Sequence, residues 1–152
     1  MADPLKLNLG CGDRRMPGYL GVDISAMSEA TELVMDLDEF PWPFDDDSVA
    51  RIEAKDVFEH VNDAVGFMVE CHRILKPTAV LHIRTPHFTN MDAFTDPTHR
   101  RFPTQYTFDY WIKGTVLYQH HNRAYGGVTF DKLFINLDET RTLDVTLAKP
   151  AE

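Results

Sequence analysis

Cationic side chains are in short supply. Fifteen Lys and Arg stand against twenty-four Asp and Glu among 152 residues, a formal net charge of −9. A chain of that sign repels a phosphate backbone, so broad nucleic-acid binding is not expected. Cysteine is scarce as well. Cys11 and Cys71 are the only two, too few for a disulfide framework, and they are expected to be reduced thiols of a cytoplasmic protein. No apolar run reaches the roughly 20 residues that cross a bilayer, so no membrane span is expected. Met1-Ala2-Asp3-Pro4 has neither a basic n-region nor an apolar h-region, which argues against a signal peptide. Repeats, low-complexity tracts and long Gly/Ser/Pro linkers are missing too. Apolar side chains are present in quantity: 43% of residues are hydrophobic and 26% charged, enough for one core and too apolar for disorder. Residues 1–152 are therefore read as a single domain.

Residues 5–9, Leu-Lys-Leu-Asn-Leu, alternate with period two and run into Gly10-Cys11-Gly12, a strand followed by a glycine turn. Residues 19–24, 33–35, 49–54 and 80–84 read as four further strands. A helix is predicted from a cap at Asn62 or Asp63 to about residue 76. Its apolar positions Ala64, Phe67, Met68, Cys71, Ile74 and Leu75 keep helical spacing, and Pro77 stops it. A short helix is expected over 106–112. Strands at 129–136 and 141–148 are joined by a turn at Leu137-Asp138-Glu139-Thr140. This order predicts an α/β fold: a Rossmann-like open, mostly parallel sheet with an antiparallel C-terminal β-hairpin and reduced helical layers. Nine residues, 10–18, are short for a parallel crossover. Either they form one helical turn, or the first two strands are not parallel neighbours. Thin helical cover is also expected to leave apolar sheet surface exposed, which a homodimer would bury.

Gly10 and Gly12 follow the first strand, and Asp23, Asp36 and Asp56 end the next three. Ligands of open α/β sheets sit at that edge, where glycines admit a close approach and carboxylates accept from hydroxyls. A dinucleotide fingerprint is disfavoured, because Arg15 stands where its third glycine belongs and Asp23 comes too early. A phosphate-binding Gly-Lys-[Ser/Thr] loop is absent.

Leu7-Asn8-Leu9-Gly10-Cys11-Gly12, Gly21-Val22-Asp23-Ile24, Phe44-Asp45-Asp46-Asp47-Ser48, Phe58-Glu59-His60-Val61 and His72-Arg73-Ile74-Leu75-Lys76-Pro77 occur in that order. Together they resemble the class I S-adenosylmethionine-dependent methyltransferases, in particular the type 11 group, over about residues 5–86. The resemblance implies S-adenosylmethionine as cofactor. It places Asn8, Gly10, Cys11 and Gly12 along the methionine and ribose, and Asp23 on the ribose hydroxyls. Asp36 and Leu37 would meet the adenine, with Asp56, Val57 and Phe58 beside the sulfonium. Two departures stand out. Thr78-Ala79 replaces the usual Gly-Gly after Lys-Pro, and little chain is left for a helix after the first motif.

Residues 86–125 are read as a substrate-side insert for a small-molecule acceptor, methylated on O or N. His60, His87 and His99 are the candidates for handling its proton, and Arg100 for clamping an anionic group. The competing reading of this stretch is a loop tied down by its own hydrogen bonds. Phe102, Tyr106, Phe108, Tyr110 and Trp111 fit core or lid packing better than base stacking. His72 and His82 are read as structural, and His120-His121 as solvated. No metal-ligand spacing is visible, so no metal is expected. Two other functions stay open: a methyltransferase-like module that binds a nucleoside or a partner without chemistry, and a metal-dependent hydrolase using His87, Asp96 and His99.

Overall fold

The computed structural model describes residues 3–151; Met1 and Ala2, part of the start read for a leader, lie outside them. Seven strands form one sheet: β1 (Lys6–Leu9), β2 (Leu20–Asp23), β3 (Leu33–Val34), β4 (Val49–Lys55), β5 (Leu75–Pro86), β6 (Asp131–Leu137) and β7 (Thr142–Ala148). Their order is β3-β2-β1-β4-β5-β7-β6. Strands β1 to β5 pair in parallel, whereas β7 runs antiparallel to both β5 and β6. The expected open sheet with an antiparallel hairpin is therefore present, and the ends of β1, β2, β3 and β4 share one edge.

Helical cover is thin. The one long helix is α1 (Ala64–Ile74); α2 (Asp92–Thr95) and α3 (Val116–His121) are short, with single 3-10 turns at Phe58–His60, Thr107–Tyr110 and Asn122–Tyr125. Asp63 caps α1, its carboxylate accepting from Gly66 N at 2.8 Å. Phe67, Met68, Cys71 and Ile74 of α1 are buried in one cluster with Leu7, Leu9, Ile52, Leu81, Ile83, Val145 and Leu147. These sheet residues lie opposite one another across the strands, so they share a face.

The other face carries the alternate residues, and on the central strands most of them are polar. Asn8, Glu53, His82 and Thr146 stand in one cross-strand row, beside Lys55, Arg84, Asp144 and Asn136 in the next. Glu53 accepts from Arg51 Nε at 2.8 Å and lies 2.7 Å from His82 Nδ1, while His82 Nε2 reaches Asp144 at 3.1 Å. Burial works to raise the Glu53 carboxyl, but hydrogen bonds from His82 and Arg51, with their charges, outweigh it and hold it at about 2. The reason given for a dimer thus fails on the central strands. The face without a helical layer is an ion-paired surface, made by the same period-two alternation that builds the core face. Exposed apolar side chains occur at the sheet edge, at Leu133 and Phe134 of β6, and gather in the insert, at Phe88, Met91, Phe94, Phe102 and Tyr106.

Neither expectation for the first crossover holds. β1 and β2 are parallel neighbours, and residues 10–19 join them with no helix. Backbone turns take up the chain instead: Cys11 N donates to Val22 O, Arg14 N to Cys11 O and Tyr19 N to Met16 O, at 2.9–3.1 Å. Gly21 permits the next loop to fold back as closely, since a Cβ there would stand 1.9 Å from Ala30 O. The helix also ends earlier than Pro77. Leu75 is already extended, and pairing jumps from Val49–Leu75 to Arg51–Val80, so 76–79 form an irregularity within β5. The expected helix over 106–112 is a 3-10 turn, and α3 was not foreseen.

Candidate active site

A cleft of about 400 Å³ opens at the carboxyl ends of β1 to β4. Its floor is the turn after β1. Gly10 has φ +60°, and a Cβ on it would lie 2.4 Å from Val57 Cγ2, so the turn packs directly on the segment that leaves β4. Gly12 has φ +53° with open space where a side chain would be, and its N–H donates to Asp23 Oδ2 at 2.9 Å. Asp23 Oδ1 accepts from Ser25 N at 3.1 Å. The carboxylate ending β2 is thereby held beside the glycine turn.

Toward β3 the wall is Ile24, Met35, Asp36 and Leu37. The Asp36 carboxylate is fixed by Asp38 N at 2.9 Å, and Asp38 in turn accepts from the backbone N–H groups of Asn62 and Asp63. That clamp ties the loop after β3 to the start of α1. At the opposite end, Asp56 sits in the left-handed region at φ +54° and pairs with Arg14 at 2.8 Å. Arg14 also donates to Lys55 O. Four carboxylates (Asp23, Asp36, Asp38 and Asp56) thus face one guanidinium in this cleft.

Gly10, Gly12, Asp23, Asp36, Leu37, Asp56 and Val57 therefore line one cleft. Asn8 and Cys11 do not. Asn8 is buried and donates to Arg14 O at 2.8 Å, bracing the turn from below. Cys11 is buried beneath the next loop, its Sγ 3.5 Å from Thr31 Oγ1 and 3.6 Å from Ala30 O. Arg14 carried no sequence signal, because one arginine in a loop matches no pattern.

A second, wider pocket of about 670 Å³ adjoins the cleft and shares Asp56 and His60 with it. Glu59, Arg84, Asp96 and His99 line it. Glu59 is 1% exposed, and its Oε2 accepts from Thr85 Oγ1 at 2.9 Å. Burial pushes the Glu59 carboxyl above its ordinary range. The His60 and His99 rings meet edge to face at 4.6 Å between centroids. Burial, helped by nearby His99, lowers the His60 imidazole. The sequence did offer a clue to Glu59, which interrupts the apolar run Val57-Phe58 and Val61, where a buried carboxylate needs a reason.

Of the four acceptor-side candidates, His60 and His99 come together here; His87 and Arg100 do not. Both His87 ring nitrogens are engaged, with Thr89 Oγ1 at 2.7 Å and Gln105 Oε1 at 3.1 Å, so that ring fastens the insert to itself. The competing reading of a self-tied loop holds for His87. Arg100 lines a separate groove with Phe58, Trp111 and Tyr125. His87 is equally absent from the Glu59–His60–His99 cluster, so the hydrolase set His87, Asp96, His99 is not assembled. No helix among the described residues is long and apolar enough to cross a membrane.

The family model described as a methyltransferase domain matches residues 7–83. No curated protein matches the sequence. Among solved structures, an S-adenosylmethionine-dependent methyltransferase from Archaeoglobus fulgidus is similar at TM-score 0.65 and 14% identity, over 95% of this chain and 86% of that one. One from Methanosarcina mazei is similar at 0.64 and 15%, over 100% and 95%. The [4+2]-cyclase SpnF is similar at 0.65 and 13%, over 97% and 75%. At such identities these likenesses establish the fold alone, and they include a protein named for a different reaction. The family match spans half of the chain and coincides with the cleft-forming strands, and on that ground the chain belongs to the methyltransferase domain family, with S-adenosylmethionine as its cofactor.

Proposed function

We propose that the protein transfers a methyl group from S-adenosylmethionine to an O or N atom of a small-molecule acceptor. The observation that carries this reading is the chemical grading of the cleft. Apolar Ile24, Met35 and Leu37 with Asp36 offer a slot for a flat base bearing an amino group. Asp23 presents a carboxylate to a diol, and the Gly10–Gly12 turn leaves room for backbone approach. Asp56 and Arg14 offer one carboxylate and one guanidinium to an amino-acid end. An excess of carboxylates suits a ligand that carries a sulfonium and an ammonium.

When bound, the cofactor supplies a methyl group already activated on sulfur. The chain's own residues would align the acceptor and manage its proton. The adjoining pocket suits that task because it shares Asp56 and His60 with the cleft. His99 donates from Nδ1 to Ala93 O at 2.9 Å, which leaves the Nε2 lone pair toward the pocket. We assign His60 and His99 to acceptor handling.

A second reading, a binding module without turnover, is favoured by the missing helix of the first crossover. Transfer of labelled methyl from S-adenosylmethionine to fractionated hydroxyl and amine metabolites separates the two. We expect transfer, reduced in His99→Ala with cofactor affinity unchanged. Intact cofactor binding with no transfer to any fraction would favour the module.

A further inference from the structure

The cluster between the two pockets has a property that acceptor handling alone does not require. One ligand-capable atom from each of Glu59, His60 and His99 lies within 4.8 Å of the others. They do not hydrogen-bond to one another. His99 Nε2 is 4.0 Å from Glu59 Oε1 and 3.8 Å from Asp96 Oδ2, too far for hydrogen bonds. Among the described residues, no side-chain hydrogen bond joins His99 Nε2 to Glu59, whose side-chain partner is Thr85 on the other oxygen. A buried carboxylate and a mostly buried imidazole therefore face each other across a gap.

The backs of these side chains, by contrast, are all fastened. His99 Nδ1 donates to Ala93 O. The Thr98 hydroxyl donates its one proton to Asp96 Oδ1 at 2.7 Å, so at 3.0 Å it must accept from His60 Nδ1–H. That arrangement fixes the tautomer of each ring and leaves both Nε2 atoms as lone-pair donors. Thr85 holds the outer oxygen of Glu59. Outer partners that fix the tautomer and orient a carboxylate are what metal-ligating side chains characteristically have.

We propose that Glu59, His60 and His99 bind one divalent transition-metal ion of the zinc class, in the wall between the cofactor cleft and the acceptor pocket. Two imidazoles and one carboxylate form a three-ligand set that suits zinc and leaves a coordination position open. Asp96 stands at the rim, placed to complete the shell directly or through a water. The position of the cluster on the acceptor pocket gives the ion a role that rests on the methyl-transfer reading. It would hold an acceptor oxygen at the open position and make its proton easier to lose, so His60 and His99 would act through the ion. Metal uptake itself does not depend on that reading.

The triad is not visible as a sequence motif, because His99 comes from the insert, 39 residues after His60. It also revises the expectation that no metal is held.

The test uses the whole chain, stripped with a chelator and without cofactor. It is titrated with Co²⁺, read by d–d absorption, and with Zn²⁺, read by competition with a chromophoric chelator. One ion per chain is expected. His99→Ala should abolish the four-coordinate Co²⁺ spectrum. Thr98→Val, which removes the hydroxyl that holds His60 from behind and also bonds Asp96, should weaken binding by about 10-fold or more. The pair His120→Ala, His121→Ala should leave uptake unchanged, which sets aside surface histidines. Circular dichroism of Thr98→Val guards against loss of fold. No uptake by the unmodified protein, or uptake that His99→Ala and Thr98→Val both leave unchanged, overturns the proposal. Either result leaves S-adenosylmethionine binding, measured separately, unaffected as a test of the cleft.

Discussion

Replacing Gly10 by alanine should destabilise the whole domain, and the structure says by how much. At φ +60° an L-residue loses about 1–2 kcal/mol relative to its preferred backbone regions. The new Cβ would also stand 2.4 Å from Cγ2 and 2.6 Å from Cβ of Val57, neither of which is the tip of a flexible chain. Overpacking of this kind costs about 1–3 kcal/mol. The sum, about 2–5 kcal/mol, is a large fraction of the 5–15 kcal/mol that holds a typical domain. Urea unfolding followed by the fluorescence of Trp42 and Trp111, both buried, would measure it. Val57→Ala by itself should cost about 1–2 kcal/mol in lost burial. Combined with Gly10→Ala it removes the Cγ2 overlap and leaves the Cβ one. The double variant should therefore be about 1 kcal/mol more stable than the sum of the singles implies. Less than about 1 kcal/mol lost in Gly10→Ala, or strict additivity with Val57→Ala, would refute the claim that the turn rests on Val57.

Further outcomes follow from the polar side chains. Arg14→Met removes an ion pair whose partners are both about half exposed, so stability should change by less than about 1 kcal/mol. S-adenosylmethionine affinity should fall while adenosine affinity holds, because only the former has a carboxylate for Arg14; equal effects on both ligands would count against that role. The Glu53–His82–Asp144 cluster predicts a pH window. The hydrogen bond to Glu53 raises His82, so its contribution is complete below the ordinary histidine value and is lost as pH rises through the raised one. Glu53, held at about 2, contributes fully above its ordinary value near 4.5 and loses this as pH falls toward 2. Thermal stability should thus be greatest at mildly acidic pH, with the alkaline decline of this cluster absent in His82→Gln. Asp38→Ala should unfasten the start of α1 from the loop after β3, costing about 1–3 kcal/mol for charge-accepting hydrogen bonds and widening the cleft near Asp36. Unchanged stability would show that the clamp is solvated.

What could be read from the sequence was whatever repeats along the chain. Strand ends marked by Asp23, Asp36 and Asp56 fell where expected, because alternation and turn residues are local signals. The Asp63 cap of α1 was readable for the same reason. The same alternation in Arg51-Ile52-Glu53-Ala54-Lys55 also encoded a polar second face, which argues against an exposed apolar sheet. What failed was non-local. The first crossover is held by backbone turns to Val22, and a turn bonded to the next strand leaves no periodic trace. α3 buries none of its side chains, so it lacks the apolar stripe by which helices are found. His87 and His99 look alike in sequence. Only the fold places Thr89 and Gln105 on the first and an unfilled gap beside the second.

The central claim is that the cleft between the glycine turn and Asp23 is where S-adenosylmethionine binds. Calorimetric titration of the purified chain with S-adenosylmethionine tests it most directly, with Asp23→Ala beside it. Asp23 would accept two charge-assisted hydrogen bonds from a diol, each contributing about 1.5–3 kcal/mol when formed, so its loss should weaken binding by at least 10-fold. The account predicts saturable one-to-one binding that drops by this much in a variant that remains folded. Absence of binding, or an affinity that Asp23→Ala leaves unchanged, would contradict it.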